Sequence, residues 1–312
     1  MSLRGSGTGG TRVTLSRYAV LAIGIAGLSM AGVLYKLASA PTIAVVAYRM
    51  IFAVVMMAPL VAISRASTNA LRRAPIARSD IAAAALSGTL FAFDVTLWAL
   101  SLQFTSISSA ALLVSMDPIF VAVFAALIFG ERPSWPMVAG MAIAVFGAAV
   151  ITVGDFRISG RALIGDALAL SAAFAETGYL LLGRHVRQRV DTVRYSLIVY
   201  SACAVCVWLA LFVLRVPAAI SRHDLVVCAV LALLATVLGH TLVSKSLGHM
   251  PAAVVAISFL SQPIMTALFA YLVLHQIVAP LTAIGGTIAL VGIGVVAFAN
   301  ERSVASGPPQ AI

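Results

Sequence analysis

Two points in this sequence place a polar residue directly before a proline inside an apolar run: Asp117-Pro118 and Gln262-Pro263. A proline inside a helix cannot donate a main-chain hydrogen bond, so Pro118 frees the carbonyl of Val114 and Pro263 that of Phe259. A freed carbonyl beside an Asp or Gln side chain can bind an ammonium or a hydroxyl. The plainer reading is a pair of kinks that shape two helices, with Asp117 bonding a neighbour. Glu176 and Tyr179 are three residues apart and share a helix face, which suits binding of an ammonium or passage of a proton. The alternative is a neutral, hydrogen-bonded structural glutamate. Phe91, Asp94 and Trp98 follow at i, i+3 and i+7, an acid between two aromatics, fit for a small zwitterion with a bulky apolar side chain. Trp98 would otherwise be an interface anchor. His240 and Ser244 are spaced i, i+4; a lone membrane histidine is more often a packing residue. Lys245, one residue on, can snorkel to the surface. Arg49 and Arg194 read as structural, each pairing with an acid or capping carbonyls.

Other chemistry is thinly represented. The sequence holds no Walker loop, no HExxH, no GxSxG and no Cys/His metal cluster. Cys203-x-x-Cys206 has metal or redox spacing but sits among Val and Ala, and Cys228 stands apart. All three cysteines read as small packing residues. The expectation is a protein with no cofactor, no metal and no enzymatic activity.

The elements that must position these residues are set by composition. Of 312 residues, 62% are hydrophobic and 10% charged, with mean hydropathy +1.09. Soluble domains carry about 25% charged residues, so this excludes an ordinary soluble enzyme, a disulfide scaffold and a disordered chain. Ten runs approach the ~20 residues that a membrane-crossing helix needs: roughly 18–36, 42–63, 80–101, 106–128, 135–153, 163–183, 194–214, 224–246, 251–273 and 280–299. Long runs without alternation argue for helices over a barrel. The first run, with Arg12 and Arg17 before it and Ala38-Ser39-Ala40 after it, has some look of a signal peptide; its length reads instead as the first span.

The net charge of +10 becomes a topology marker. With the N-terminus in the cytoplasm, Arg4, Arg12, Arg17, Arg65, Arg72, Arg73, Arg78, Arg132, Arg184, Arg187, Arg189, Arg194, Lys245 and Arg302 lie inside. Only Lys36, Arg157, Arg161, Arg215 and Arg222 lie outside. Positive charge favours the cytoplasmic side, so both termini (1–17 and 300–312) are expected there. No nucleic-acid partner is needed to explain the charge.

The chain also repeats itself. Residues 106–135 and 251–280 align without gaps at an offset of 145, pairing Pro118 with Pro263 and Asp117 with Gln262. The same offset pairs Gly140 with Gly285, Gly147 with Gly292 and Arg49 with Arg194. Each unit, 18–153 and 163–299, holds five spans. Five is odd, so the second unit enters the membrane from the opposite side. Inverted repeats of this kind are typical of secondary transporters, with the substrate site near the midplane. The glycine pairs, seven residues apart, mark small-residue stripes that let helices approach closely. They predict that the fifth and tenth helices pack together.

The passage Ala99-Leu100-Ser101, Thr105-Ser106, Ala110, Pro118, Gly130-Glu131, Gly140 and Gly147 resembles the signature of the EamA family in the drug/metabolite transporter superfamily. The second half keeps Pro263, Gly285 and Gly292 but has His275-Gln276 where that family usually has Gly-Glu, a departure confined to the turn. The likeness covers about residues 18 to 299, and the layout is similar to the YddG-type amino-acid exporters of the family. The resemblance implies a ten-helix carrier of a bacterial inner membrane that exports metabolites.

The expectation is therefore an all-α integral membrane protein, ten helices in two inverted five-helix repeats. It would export a small organic metabolite, an amino acid before others, by alternating access. Phe91, Asp94, Trp98, Asp117, Glu176, Tyr179, His240, Ser244 and Gln262 would contact substrate. Pro118 and Pro263, with Gly88 and Gly239, would act as hinges, protons could couple, and one chain would suffice. The competing transport reading is multidrug or cation efflux by proton antiport.

Overall fold

The computed structural model describes residues 8–65, 75–117, 119–120, 123–124, 134–247 and 261–306. All regular structure among them is helical. The chain runs through α1 (Thr8–Ser29), α2 (Ala31–Leu37), α3 (Thr42–Arg65), α4 (Arg78–Ser101), α5 (Ile107–Val114), α6 (Trp135–Ile158), α7 (Ala162–Arg187), α8 (Thr192–Val213) and α9 (Arg222–Leu231). A π-helical stretch (Ala232–His240), α10 (Thr241–Leu247), α11 (Ser261–Leu274) and α12 (Pro280–Ser306) follow. Short polar residues start several of these helices by accepting the main-chain N–H bonds that a helix leaves unmade. Ser106 caps Ser109 at 2.9 Å, Asp191 caps Val193 at 3.1 Å and Ser221 caps Asp224 at 3.0 Å.

Six helical spans are long and apolar enough to cross a membrane: Ala19–Leu37, Thr42–Ile63, Arg78–Ser101, Trp135–Gly154, Thr192–Val213 and Arg222–Val243. Ser261–Leu274 and Pro280–Val296 are shorter apolar helices. Large apolar side chains such as Val55, Val205 and Phe212 point outward. In water such a surface would be a liability; against lipid it carries no penalty. The α7 helix, which carries Glu176 and Asp166, is the most amphipathic of the long helices and sits among the others with Ala169, Ala172 and Ala173 fully buried.

The packing of helices respects the repeat. Exchanging the halves maps α4 against α7 onto the eighth span against α1, and α4 against α8 onto the eighth span against α3; all four contacts are present. The contact of α5 with α7 maps onto that of α11 with α1, also present. Three contacts map onto themselves: α3 with α8, α5 with α11, and α6 with α12, the most extensive of all.

The α6/α12 contact is backbone against backbone. A Cβ on Gly147 would lie 2.4 Å from the amide nitrogen of Ala289 and 2.6 Å from the carbonyl oxygen of Gly285. One on Gly292 would lie 2.4 Å from the amide nitrogen of Ala144 and 2.6 Å from the Gly140 oxygen. Gly140 and Gly285 face those partners in return, so the four glycines interlock across the repeat axis. Gly88 is likewise pressed on the Val199 carbonyl, 2.5 Å from a would-be Cβ, and Gly239 on Leu28 at 2.9 Å. Both are close-contact positions between helices.

The turn after α11 explains the departure at His275. His275 N–H donates to the Tyr271 oxygen at 3.0 Å, the 5→1 bond of an αL cap, and Gln276 N–H donates to the Ala270 oxygen at 3.2 Å. His275 itself has φ +53, the left-handed conformation that glycine adopts without strain. Its repeat mate is Gly130. His275 belongs to the residue types that tolerate this conformation better than most.

Candidate functional site

The site is built around Phe91, fully buried in the middle of α4. Its ring lies 4.9 Å from that of Tyr179 on α7, 5.9 Å from Tyr200 on α8, and 4.9 Å edge-on from His240 at the end of the π-helical stretch. Four elements converge on one side chain. Because α4 places i+3 on the same face, Asp94 follows Phe91 into this interior and is 5% exposed. Glu176, half-buried one turn before Tyr179, is within electrostatic reach of both Asp94 and Asp117. Three carboxylates from the third, fourth and sixth spans thus act on one another through the interior. Trp98 lies one turn beyond Asp94, its ring 5.9 Å from that of Tyr35 in α2 in an edge contact, and its indole N–H is buried without a hydrogen-bond partner among the described residues.

Local helix chemistry places these groups. The eighth span winds as a π-helix over nine residues, a geometry that is rare and concentrates at functional positions. It holds Thr236 and His240 on the interior, against α1, where a Cβ on Gly27 would come within 2.4 Å of the Leu234 oxygen. Tyr200 ties this stretch down: its hydroxyl donates to the Thr236 oxygen at 3.2 Å and lies 3.1 Å from the Thr241 hydroxyl. On the far side, the Ser87 hydroxyl donates to the Tyr179 oxygen at 3.1 Å and lies 2.7 Å from the Tyr195 hydroxyl.

The two pre-proline residues meet matching partners. The Thr177 hydroxyl, bonded at 2.9 Å to Ala173 of its own helix, also reaches the Asp117 carbonyl at 3.4 Å. The Ser29 hydroxyl, bonded at 2.8 Å to Ile25, reaches the Gln262 carbonyl at 3.3 Å. One hydroxyl from the first helix of each half thus touches the main chain of the pre-proline residue in the other half.

Phe91, Asp94, Glu176, Tyr179 and His240 are brought together, with Asp117 in electrostatic range. Trp98 flanks them through Tyr35. Gln262 stands against α1 through its main chain, and Pro263 is buried beside it. Pro118 and the side chain of Ser244 lie outside the described residues. Arg194 is half-buried near the start of α8. Its mate Arg49 behaves differently: it is 2% exposed, its Nε donates to Thr236 Oγ1 at 2.8 Å, and one terminal nitrogen donates to the Tyr35 hydroxyl at 3.0 Å. Sequence reasoning passed over Tyr35, Tyr200 and Thr236, whose types merge with packing residues in an apolar run. It gave Arg49 a purely structural role. A charge inside an apolar span is itself a signal of an interior position such as the one Arg49 occupies.

One end of the bundle is tied by polar contacts. The Ser39 N–H and hydroxyl donate to the Asp224 carboxylate at 2.8 and 3.0 Å, and the Ser221 hydroxyl adds a third at 2.7 Å. Lys36 donates to the Leu102 oxygen. At the opposite end Arg189 pairs with Asp80 at 3.4 Å.

Helices that bury a charged and aromatic interior, expose an apolar exterior and repeat their contacts across two halves define a multi-pass membrane protein of the transporter kind. The EamA-like transporter family matches residues 15–153 and again residues 163–298, and the chain belongs to it. A probable terminal-alkyne amino-acid exporter of Streptantibioticus cattleyicolor is 25% identical over 204 residues, 63% of this chain and 65% of that one. The chain thus spans slightly less than two thirds of that relative. An uncharacterized transporter of Archaeoglobus fulgidus is 26% identical over 217 residues, 67% of this chain and 72% of the other. A solved crystal structure aligns with 90% of this chain and 96% of its own at TM-score 0.60 and 16% identity, a likeness of fold.

Proposed function

We propose that this transporter exports neutral amino acids, aromatic ones among them, through an interior site between its halves. The observation that carries the reading is the convergence of Phe91, Asp94, Glu176, Tyr179 and His240 from the third, sixth and eighth spans. Acids can hold the ammonium of a substrate, and the ring cluster can receive its side chain. The amino-acid exporter among the relatives supports the substrate class. The bundle holding the third, fourth, eighth and ninth spans rocks against the remainder, opening the site to one side at a time. The chain lies in a bacterial inner membrane with both termini in the cytoplasm and works as a monomer. Its two units are 18–153 and 163–299.

A second reading, cation efflux by proton antiport, is favoured by one observation. Asp94 and Asp117 both lie within electrostatic reach of Glu176, and Arg49 is the one fully buried cation among the described residues, which leaves negative charge for a cation or for protons. Flux in proteoliposomes separates the two. The expected result is saturable counterflow of labelled neutral amino acids; flux of cationic dyes with none of any amino acid would select the second reading. An imposed pH gradient that leaves flux unchanged would remove protons from the cycle. Orientation is tested by single cysteines at the exposed positions Gln188 and Ser159, which are expected to label from the cytoplasmic and outer faces respectively.

A further inference from the structure

Arg49 is more than a strut between helices. It is the only arginine or lysine among the described residues that is fully buried. A guanidinium carries five N–H donors in a fixed fork; hydrogen bonds to Thr236 and Tyr35 account for two. Its carbon lies 5.8 Å from the Tyr35 ring centre. Among the described residues no carboxylate oxygen comes within 4.0 Å of it, although Asp94 acts on it through space. A buried charge without a touching counter-charge is costly. The Tyr35 ring also meets the ring of Trp98, whose buried indole N–H has no acceptor among the described residues. Buried donors without acceptors are rare and call for an explanation.

We infer that Arg49 is the anchor for the carboxylate of a zwitterionic substrate, with the Trp98 indole as an auxiliary donor and Asp94 receiving the ammonium. The inference rests on the amino-acid reading above and deepens it. A planar anion with two acceptor oxygens is what an unused guanidinium fork accepts best. Arg49 and Asp94 attract one another without touching, so a ligand whose two opposite charges sit on one carbon can bridge them. Thr236 and Tyr35 hold the guanidinium still, so its order does not have to be gained on binding. Thr236 lies within the π-helical stretch, and Tyr200 fixes its main chain. The site reads the head group of the substrate through these residues and leaves the side chain to the ring cluster around Phe91.

The test is competition in proteoliposomes against flux of a labelled neutral amino acid, with phenylalanine and its decarboxylated counterpart phenethylamine as inhibitors. Losing hydrogen bonds to a charged group costs about 1.5–3 kcal/mol, which is roughly 10- to 100-fold in affinity. Arg49→Gln is expected to weaken phenylalanine by that factor and to leave phenethylamine unchanged. Equal weakening of both, or of neither, would overturn the assignment. Should Arg49→Gln not fold, Tyr35→Phe and Thr236→Val, each removing one hold on the guanidinium, are expected to show the same selective loss to a smaller degree. An equal change for both inhibitors in those variants would overturn it as well. Wild-type protein that moves phenethylamine and no amino acid would bring down the amino-acid reading and this anchor together. Amino-acid flux with unaltered selectivity in the variants would bring down the anchor alone.

Discussion

Glu176→Gln is expected to cut saturable flux roughly 10- to 100-fold, the range for losing a hydrogen bond to a charged group, while thermal stability holds or rises. The reasoning turns on what surrounds the residue. Glu176 shares electrostatic reach with Asp94 and Asp117, and like charges in a poorly solvated interior repel strongly. Glutamine keeps the shape and removes the charge. A residue retained for stability would make the protein weaker when changed; one retained for function relieves strain when lost. Flux in proteoliposomes and melting in detergent, read on the same preparation, separate the two. Wild-type flux in the variant would remove Glu176 from the site. Should Glu176 also be the proton carrier, the variant would still exchange labelled for unlabelled substrate while an imposed pH gradient no longer drives it.

The second large effect lies at the repeat axis. Gly147→Leu is expected to abolish the folded protein or to lower its melting temperature by many degrees. The added Cβ alone would meet main-chain atoms of Ala289 and Gly285 at 2.4 and 2.6 Å. Main chain cannot rotate out of the way as a side chain can, so α6 and α12 must separate along their whole contact. Overpacking in ordinary cores costs about 1–3 kcal/mol and occasionally more, against total stabilities of about 5–15 kcal/mol. Ala149→Leu, on the exposed face of the same helix, adds the same side chain and is expected to be neutral. Equal melting of the two variants would mean that the interlocked glycines do not hold the halves together.

The spans were legible because lipid selects strongly on apolar length. The sequence run 42–63 coincides with Thr42–Ile63, and 80–101 and 135–153 lie within two residues of Arg78–Ser101 and Trp135–Gly154. Acids inside the apolar runs were legible for the same reason: Asp94 in run 80–101 and Glu176 in run 163–183 stand out where a charge is costly. What touches what was not. Tyr35 and Tyr200 read as apolar filling because a hydroxyl shows its role only once a partner such as Arg49 or Thr241 is placed beside it. The π-helical winding of Ala232–His240 leaves no mark in composition, since its residues would serve equally in an α-helix. Arg49 and Arg194 share a register, and that shared register suggested a shared role. Depth separates them: Arg49 lies eight residues into its helix, bonded among hydroxyls, while Arg194 sits in the first turn of its own.

That difference between two arginines has a thermodynamic meaning for the molecule as a whole. A body whose helix contacts survive the exchange of its halves has two shapes related by that exchange. Were the halves chemically identical, these shapes would be degenerate and populated equally. The contact map of this chain approaches that condition, but its charges break it: Arg49, Asp94 and Glu176 have no like-charged counterparts at equivalent depth. Side chains lift the degeneracy, together with the π-helical winding of Ala232–His240, which its repeat mate α4 does not share. Single substitutions among these polar residues are expected to shift the balance between the two shapes while the helix contacts stay as they are.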